Sequence, residues 1–147
     1  MNQSRSFDIK VGDELPTLTR LISGDLVMAY GTIGVNDPET ALRGSFHTDP
    51  DLAAGTMYGA PIAQGVLTEA LVSALITNWM PDPSGWISGS TLTSKFIGPV
   101  WYEDTLTYQA RVTDVQNEGS MRRVSLDVWA ENQRAEKIMV GDASVLV

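Results

Sequence analysis

Apolar residues recur at steps of three and four between Pro61 and Trp79, which is the spacing of one face of an α-helix. Val72 and Ile76 fall outside this stripe, so we expect the helix to contact apolar surface on most of its sides. Proline suits the first turn of a helix, and the following segment MPDPSG is typical of a helix end. The pattern predicts one long helix over residues 61–79, with an apolar stripe formed by Val66, Leu67, Ala70, Leu71, Ala74 and Leu75.

The second half of the chain alternates between apolar and polar positions, as half-buried strands do. Clear strands are predicted in TLTYQARVTDV, RRVSLDVWAEN and EKIMVGDASVLV, and a weaker one in GWISGSTLTSKFIGPV, while QNEGS is typical of a turn. One buried helix followed by four strands indicates an α+β domain whose antiparallel sheet wraps around the helix. Because no repeat or linker divides the chain, we expect a single domain over residues 1–147.

The first sixty residues carry weaker patterns. Phe7 and Ile9 alternate with polar neighbours, TLTRLIS predicts a short strand, and Ser23 or Asp25 is suited to cap a short helix through DLVMAYGTIG. Residues 36–59 are dense in Gly, Pro, Asp, Ser and Thr, so we expect them to form mostly loop. A loop of this length in a compact domain is usually functional or mobile, which makes the stretch a candidate for the functional site.

Composition and charge exclude several classes of function. The formal net charge is −8 and the only adjacent basic pair is Arg122–Arg123, so nucleic acid is not an expected partner. The chain has no cysteine and a single histidine, which excludes thiolate catalysis and a multi-histidine metal site; we expect no metal and no other cofactor. The N-terminal MNQSRSFDIK lacks the apolar core of a signal peptide, and GVLTEALVSALITNWM is too short to span a bilayer. We therefore expect a cytoplasmic protein without a membrane partner.

Four stretches, in order along the chain, resemble the MaoC-like acyl dehydratases, a family that includes the R-specific enoyl-CoA hydratases of the hot-dog fold. They are FDIKVGDELP, FHTDPDLAAGTMYGAPIAQG, FIGPVWYEDTLTYQARVTDV and ENQRAEKIMVGDASVLV. The resemblance implies a sheet curled around the long helix and a homodimer, or else a higher oligomer or a heteromer. It also implies an acyl-CoA or acyl carrier protein thioester as substrate, with water added or removed at an α,β-unsaturated acyl group.

The resemblance further implies a site at the start of the long helix. His47 stands in the His-x-Asp-Pro frame where the family's catalytic histidine belongs, and a near-neutral imidazole suits acid–base work. Gly65 falls at the family's helix-start glycine, whose backbone N–H would polarise the thioester carbonyl. Gln64 replaces the histidine that usually precedes this glycine and is a second candidate for substrate contact. We expect Asp49 to be a turn or cap residue.

The family's Asp-x-Asn-Pro-x-His motif is disrupted in this chain. Leu42, which cannot transfer a proton, stands five residues before His47, and the segment ETALRGS separates VNDP from FHTDP. Three interpretations remain open. In the leading one Asp37, or else Glu39, replaces the missing carboxylate beside His47. In the second the protein runs other thioester chemistry, such as isomerisation, cyclisation or hydrolysis, and in the third it is a catalytically silent acyl-binding subunit of a heteromer.

Overall fold

The computed structural model describes residues 8–147, and five strands of this range form one antiparallel sheet in the order β1-β3-β4-β5-β2. The last three strands pair as successive neighbours, while β1 and β2 form the two edges. The predicted strands and the predicted α+β class are confirmed; Phe7 lies outside the described residues. The bounds are β1 Leu18–Ile22, β2 Thr91–Phe96, β3 Asp104–Glu118, β4 Met121–Glu131 and β5 Lys137–Leu146.

The long helix α4, Gly65–Trp79, packs against β3, with further contacts to β2 and β4. Its start was predicted four residues too early. The residues before Gly65 are extended, because Ile62 forms a β-bridge with Trp101 and the Ala63 N–H donates to the Val100 carbonyl at 2.8 Å. At the other end, Met80 adopts an extended conformation before proline, which disfavours helical backbone in the residue ahead of it.

The buried face of α4 is rotated from the predicted stripe. Val72 and Ile76 are 0% exposed and lie at its centre, whereas Val66 is 54% exposed. Two apolar stripes adjoin on this helix, so periodicity alone does not separate them. The helix covers the sheet with Leu67, Thr68, Val72, Leu75 and Ile76. Within residues 8–147, no helix has the length and apolar character needed to cross a membrane.

Three shorter helices precede α4. Helix α1, Gly24–Gly31, begins at the predicted cap Ser23, whose Oγ accepts from the Leu26 N–H at 3.2 Å. The stretch predicted as mostly loop also contains two short helices that were not predicted, α2 (Pro38–Arg43) and α3 (Pro50–Ala54). Each begins with an aspartate cap followed by proline at the first helical turn, an arrangement that satisfies free N–H groups and presets the backbone. The predicted capping role of Asp49 is confirmed.

A buried carboxylate joins the start of β3 to the turn between β4 and β5. Asp104 is 3% exposed and accepts hydrogen bonds from the Trp101 N–H at 2.9 Å and the Gln133 amide at 2.7 Å. The Arg134 guanidinium lies 3.4 Å from the same carboxylate. The Asn132 Oδ1 in turn accepts the Arg134 N–H at 2.9 Å. The side chains of Gln133 and Arg134 therefore anchor the turn between β4 and β5 to the start of β3.

Candidate active site

A cavity of about 220 Å³ opens at the N-terminal end of α4. It lies between the chain preceding that helix, the end of β2 with the loop that follows it, and β5. Most of its wall is apolar, and the polar side chains in it are those of His47, Tyr58 and Thr68. The lining residues are Phe46, His47, Tyr58, Ile62, Ala63, Gly65, Thr68, Phe96, Gly98, Pro99, Val100 and Ile138. A mainly apolar cavity with a few polar groups is typical of a small-molecule site.

His47 is half-buried and held at three points. The ring Nδ1 lies 2.8 Å from the carbonyl oxygen of Ile62. The backbone N–H of His47 donates to the Ser45 Oγ at 3.2 Å, and its backbone carbonyl accepts from the Tyr102 hydroxyl. The ring of Phe46 lies against the imidazole, with centroids 4.1 Å apart. Because a carbonyl only accepts, Nδ1 must carry the hydrogen, and in the neutral ring Nε2 then has a lone pair. The fold therefore presents one nitrogen that can take up a proton.

Gly65 begins α4 on the wall of the same cavity. The first N–H groups of a helix have no intrahelical acceptor, and because no side chain caps them here, the Gly65 N–H lies uncapped at the positive end of the helix dipole. The ring of Phe96 covers the glycine: a Cβ at this position would lie 3.0 Å from the nearest ring carbon. The structure thus brings His47 and Gly65, the predicted proton carrier and the predicted carbonyl-binding residue, together in one cavity.

Gln64 lies behind this wall and is not among the residues that line the cavity. Gln64 is 9% exposed, and its side-chain Nε2 donates to the Val27 carbonyl at 3.1 Å. The Oε1 of this amide is buried without a hydrogen-bond partner in the described part of the chain. The observed contact ties the start of α4 to α1, and the predicted contact of Gln64 with substrate stays a prediction.

Neither predicted carboxylate lines the cavity. Asp37 is exposed and caps α2, accepting from the Thr40 N–H at 3.3 Å and the Thr40 hydroxyl at 2.6 Å. These hydrogen bonds hold the pKa of Asp37 below its usual value, because they favour the ionised form. Glu39 is exposed and pairs with Arg43 at 3.4 Å. The cavity wall, as far as residues 8–147 describe it, holds no carboxylate, and the pairing of Asp37 with His47 stays a prediction.

Three residues near the site were not anticipated from the sequence. Phe96 covers Gly65 and Tyr102 binds the His47 carbonyl, but both contacts join segments far apart in the chain. Thr68 had a local signal, since it is a polar residue three positions after Gly65 and so lies on the same side of the helix.

In the described chain, no group of three or more His, Cys, Asp or Glu side chains is placed to hold a metal ion.

Comparison with known proteins assigns the family. A family model described as a MaoC like domain matches residues 44–133, which includes His47, α4, β3 and β4. The chain belongs to the MaoC-like dehydratase family. This MaoC-like chain is also similar to the (R)-specific enoyl-CoA hydratase of Aeromonas caviae, at 27% identity over 85 residues. That match covers 58% of this chain and 62% of the hydratase.

Solved structures agree with the MaoC-like assignment. The unliganded R-hydratase PhaJ1 from Pseudomonas aeruginosa is 25% identical, with a TM-score of 0.74 over 93% of this chain and 81% of that one. The (R)-hydratase of A. caviae is also 25% identical, with a TM-score of 0.71 over 95% of this chain and 98% of that one. With the sheet packed on α4, these matches confirm the predicted hot-dog fold.

Proposed function

We propose that this chain is an acyl-thioester hydratase or dehydratase that adds or removes water at an α,β-unsaturated acyl-CoA or acyl carrier protein substrate. One observation carries the proposal: the imidazole of His47 and the uncapped start of α4 at Gly65 line the same mainly apolar cavity. The similarity to an (R)-specific enoyl-CoA hydratase supports it.

The start of α4 supplies the electrostatic part of the reaction. A thioester carbonyl placed against the Gly65 N–H accepts a hydrogen bond there and meets the positive end of the helix dipole. The carbonyl oxygen gains negative charge when water adds to the β-carbon, because the electrons of the double bond move towards it. The interaction is therefore strongest in the enolate-like transition state, which is the condition for catalysis.

His47 supplies the proton transfer. Its Nε2 takes a proton from water as the water oxygen bonds to the β-carbon, and the resulting imidazolium returns a proton to the α-carbon of the enolate. Dehydration is the reverse: the α-proton goes to Nε2 and then leaves with the β-hydroxyl as water. The Nδ1–H bond to Ile62 holds the ring in the tautomer that this exchange requires.

Asp37 is the candidate for the second, carboxylate-bearing group of the family's pair. To reach the cavity it would have to release Thr40, whose hydrogen bonds it accepts at the start of α2. The substitution Asp37→Asn separates the two roles, because asparagine caps a helix about as well as aspartate but cannot transfer a proton. A catalytic Asp37 predicts a large loss of activity in this variant, and a capping Asp37 predicts none.

A second function is favoured by the same cavity, because no carboxylate lines it within the described chain. In this alternative the protein binds an acyl thioester and either runs isomerisation, cyclisation or hydrolysis with His47, or serves as a silent acyl-binding subunit. Binding of a saturated acyl-CoA without turnover of an enoyl-CoA would favour this alternative over the hydratase.

We further propose that two copies of the chain pair along β2, and that a heteromer or a higher oligomer would use the same edge. Strand β2 is an edge of the sheet with backbone groups available for pairing. Phe96 and Ile97, at its end beside the cavity, are 46% and 49% exposed, which is unusual for large apolar side chains that lie next to each other. A purified protein that stays monomeric would contradict this assembly.

The experiment that tests the function is hydration of crotonyl-CoA, followed by loss of the enoyl thioester absorbance. We expect the wild type to be active and His47→Ala to lower kcat/KM by about 10²–10⁴-fold, the usual contribution of a general acid–base group. Asp51→Asn, an exposed change in the neighbouring helix α3, is the matched control and should retain activity. Equal rates in the wild type and in His47→Ala would refute the catalytic role of the imidazole.

A further inference from the structure

Two buried hydroxyl side chains neighbour each other, and one of them lines the cavity. Thr68, on α4, lines the cavity and is 2% exposed, and Tyr108, on β3, is 0% exposed. The Tyr108 hydroxyl has no hydrogen bond of normal geometry to any described residue. Burial raises the pKa of Tyr108, and the neighbouring side chain of Thr68 offsets part of the rise. Thr68 is therefore the polar side chain next to this hydroxyl.

An unsatisfied hydroxyl in the core is costly and calls for a reason. A buried polar group without a partner lowers the stability of the fold, a cost that phenylalanine at the same position would avoid. Of the two residues, Thr68 lines the cavity, whose wall is otherwise apolar apart from His47 and Tyr58. Thr68 faces both sides, because it lines the cavity and also neighbours the Tyr108 hydroxyl. A ligand atom beside Thr68 would meet a hydrogen-bonding group at a point where the rest of the wall is apolar.

Helix geometry sets the distance between this polar point and the carbonyl-binding point. Gly65 and Thr68 both line the cavity, and three residues of α-helix advance by about 4.5 Å. A thioester carbonyl held at the Gly65 N–H directs the acyl group along the cavity wall. The proposed reaction requires the α- and β-carbons to lie at His47, and an acyl group that continues along α4 would then bring its γ-carbon towards Thr68.

We propose that this cavity selects acyl thioesters that carry a hydroxyl or carbonyl oxygen on the γ-carbon, which Thr68 binds with the support of Tyr108. The inference rests on the proposed function, since it places the thioester carbonyl at Gly65. A site built to hydrogen-bond a substrate oxygen discriminates strongly against the analogue that lacks it, because its own buried polar groups are then left unpaired. An unsubstituted alkyl chain would offer the hydroxyls of Thr68 and Tyr108 no hydrogen-bond partner.

The test measures binding rather than turnover, so that it does not depend on the hydratase reaction. Calorimetric titration of the full chain with γ-hydroxybutyryl-CoA and with butyryl-CoA gives two dissociation constants. We expect the hydroxylated thioester to bind the wild type at least tenfold more tightly. Thr68→Val, which keeps the shape of the side chain, should bring the ratio close to one, while Thr68→Ser, which keeps the hydroxyl, should preserve it. Tyr108→Phe should lower the ratio without abolishing it.

The outcomes separate this inference from the proposed function. Equal affinities for the two thioesters, or a preference that survives in Thr68→Val, would overturn the selectivity. A clear preference in a protein that does not hydrate crotonyl-CoA or its γ-hydroxylated analogue would overturn the hydratase function and leave the selectivity standing. Failure of both thioesters to bind, with circular dichroism showing a folded protein, would overturn both.

Discussion

Phe96 and Gly65 make a contact whose energy can be measured. Alanine at position 65 would place a Cβ 3.0, 3.1 and 3.2 Å from three carbons of the Phe96 ring, closer than carbon atoms normally approach. Overpacking of this kind costs about 1–3 kcal/mol. Replacing glycine by alanine where the backbone is already helical returns about 0.4–1 kcal/mol, because the unfolded chain loses freedom. We expect Gly65→Ala to destabilise the wild-type protein by about 1 kcal/mol.

The Phe96→Ala background should reverse that sign. Without the Phe96 ring the new methyl group has no steric clash, so Gly65→Ala should then stabilise the folded protein by about 0.4–1 kcal/mol. Guanidinium unfolding of the wild type, the two single variants and the double variant gives the coupling energy, which we expect to be about 2 kcal/mol. Additive effects of the two substitutions would refute the packing argument, and would show that the Phe96 ring swings freely into solvent.

Across these four proteins, the activity should not change in parallel with the stability. The methyl group remains beside the Gly65 N–H in both backgrounds, so Gly65→Ala should lower kcat/KM for crotonyl-CoA whether or not Phe96 is present. Loss of a backbone donor to a developing oxyanion costs about 10²–10³-fold, which is the upper limit of the expected effect. Recovery of activity in the double variant would instead mean that Gly65 matters only through the placement of Phe96.

Two further predictions concern carboxylates. Asp37→Ala should lower the urea midpoint at neutral pH, because the cap of α2 is lost. Since the folded pKa of Asp37 lies below its usual value of 3.8, its stabilising contribution is present above that value and is lost as the pH falls through the folded pKa. The difference between wild type and variant should therefore shrink in acid, and a constant difference would contradict the role of the charge. Asp104→Ala should lower the free energy of unfolding by about 2–3 kcal/mol, because it leaves the Trp101 N–H and the Gln133 amide without their acceptor. Thermal or chemical unfolding measures this loss, and a loss below 1 kcal/mol would show that water replaces the carboxylate.

The apolar–polar pattern predicted the strands and the existence of α4. It failed where two apolar rows lie side by side on one helix and where a helix is only five or six residues long. The stripe on α4 was misplaced because two apolar rows adjoin and the polar Thr68 interrupts the buried one. The short helices α2 and α3 were missed because turn-forming residues dominate their composition. Their signal was an aspartate followed by proline, which occurs at Asp37, Asp49 and Asp82 and begins a helical turn each time.

The residues of the candidate site could not be found from the apolar–polar pattern, because contacts between distant parts of the chain bring them together. The resemblance brought His47 and Gly65 to one site, and the structure places both on one cavity wall. The partners that hold His47, the Ile62 carbonyl and the Tyr102 hydroxyl, are 15 and 55 residues away in the chain. No local rule pairs residues at such separations. Tyr108 was missed for the same reason, since it meets Thr68 only when α4 lies on β3, whereas the spacing of Thr68 from Gly65 on the helix was a local signal.

The acceptor that orients the His47 ring belongs to the main chain of Ile62, and every amino acid at position 62 offers the same carbonyl. A saturation scan of single substitutions would therefore detect the imidazole and overlook the group that sets its tautomer. The bridge of Ile62 to Trp101 and the bond from Ala63 to Val100 preserve the path of this segment independently of the side chains around the cavity. Substitution of those side chains would therefore reshape the cavity while leaving the orientation of the His47 ring unchanged.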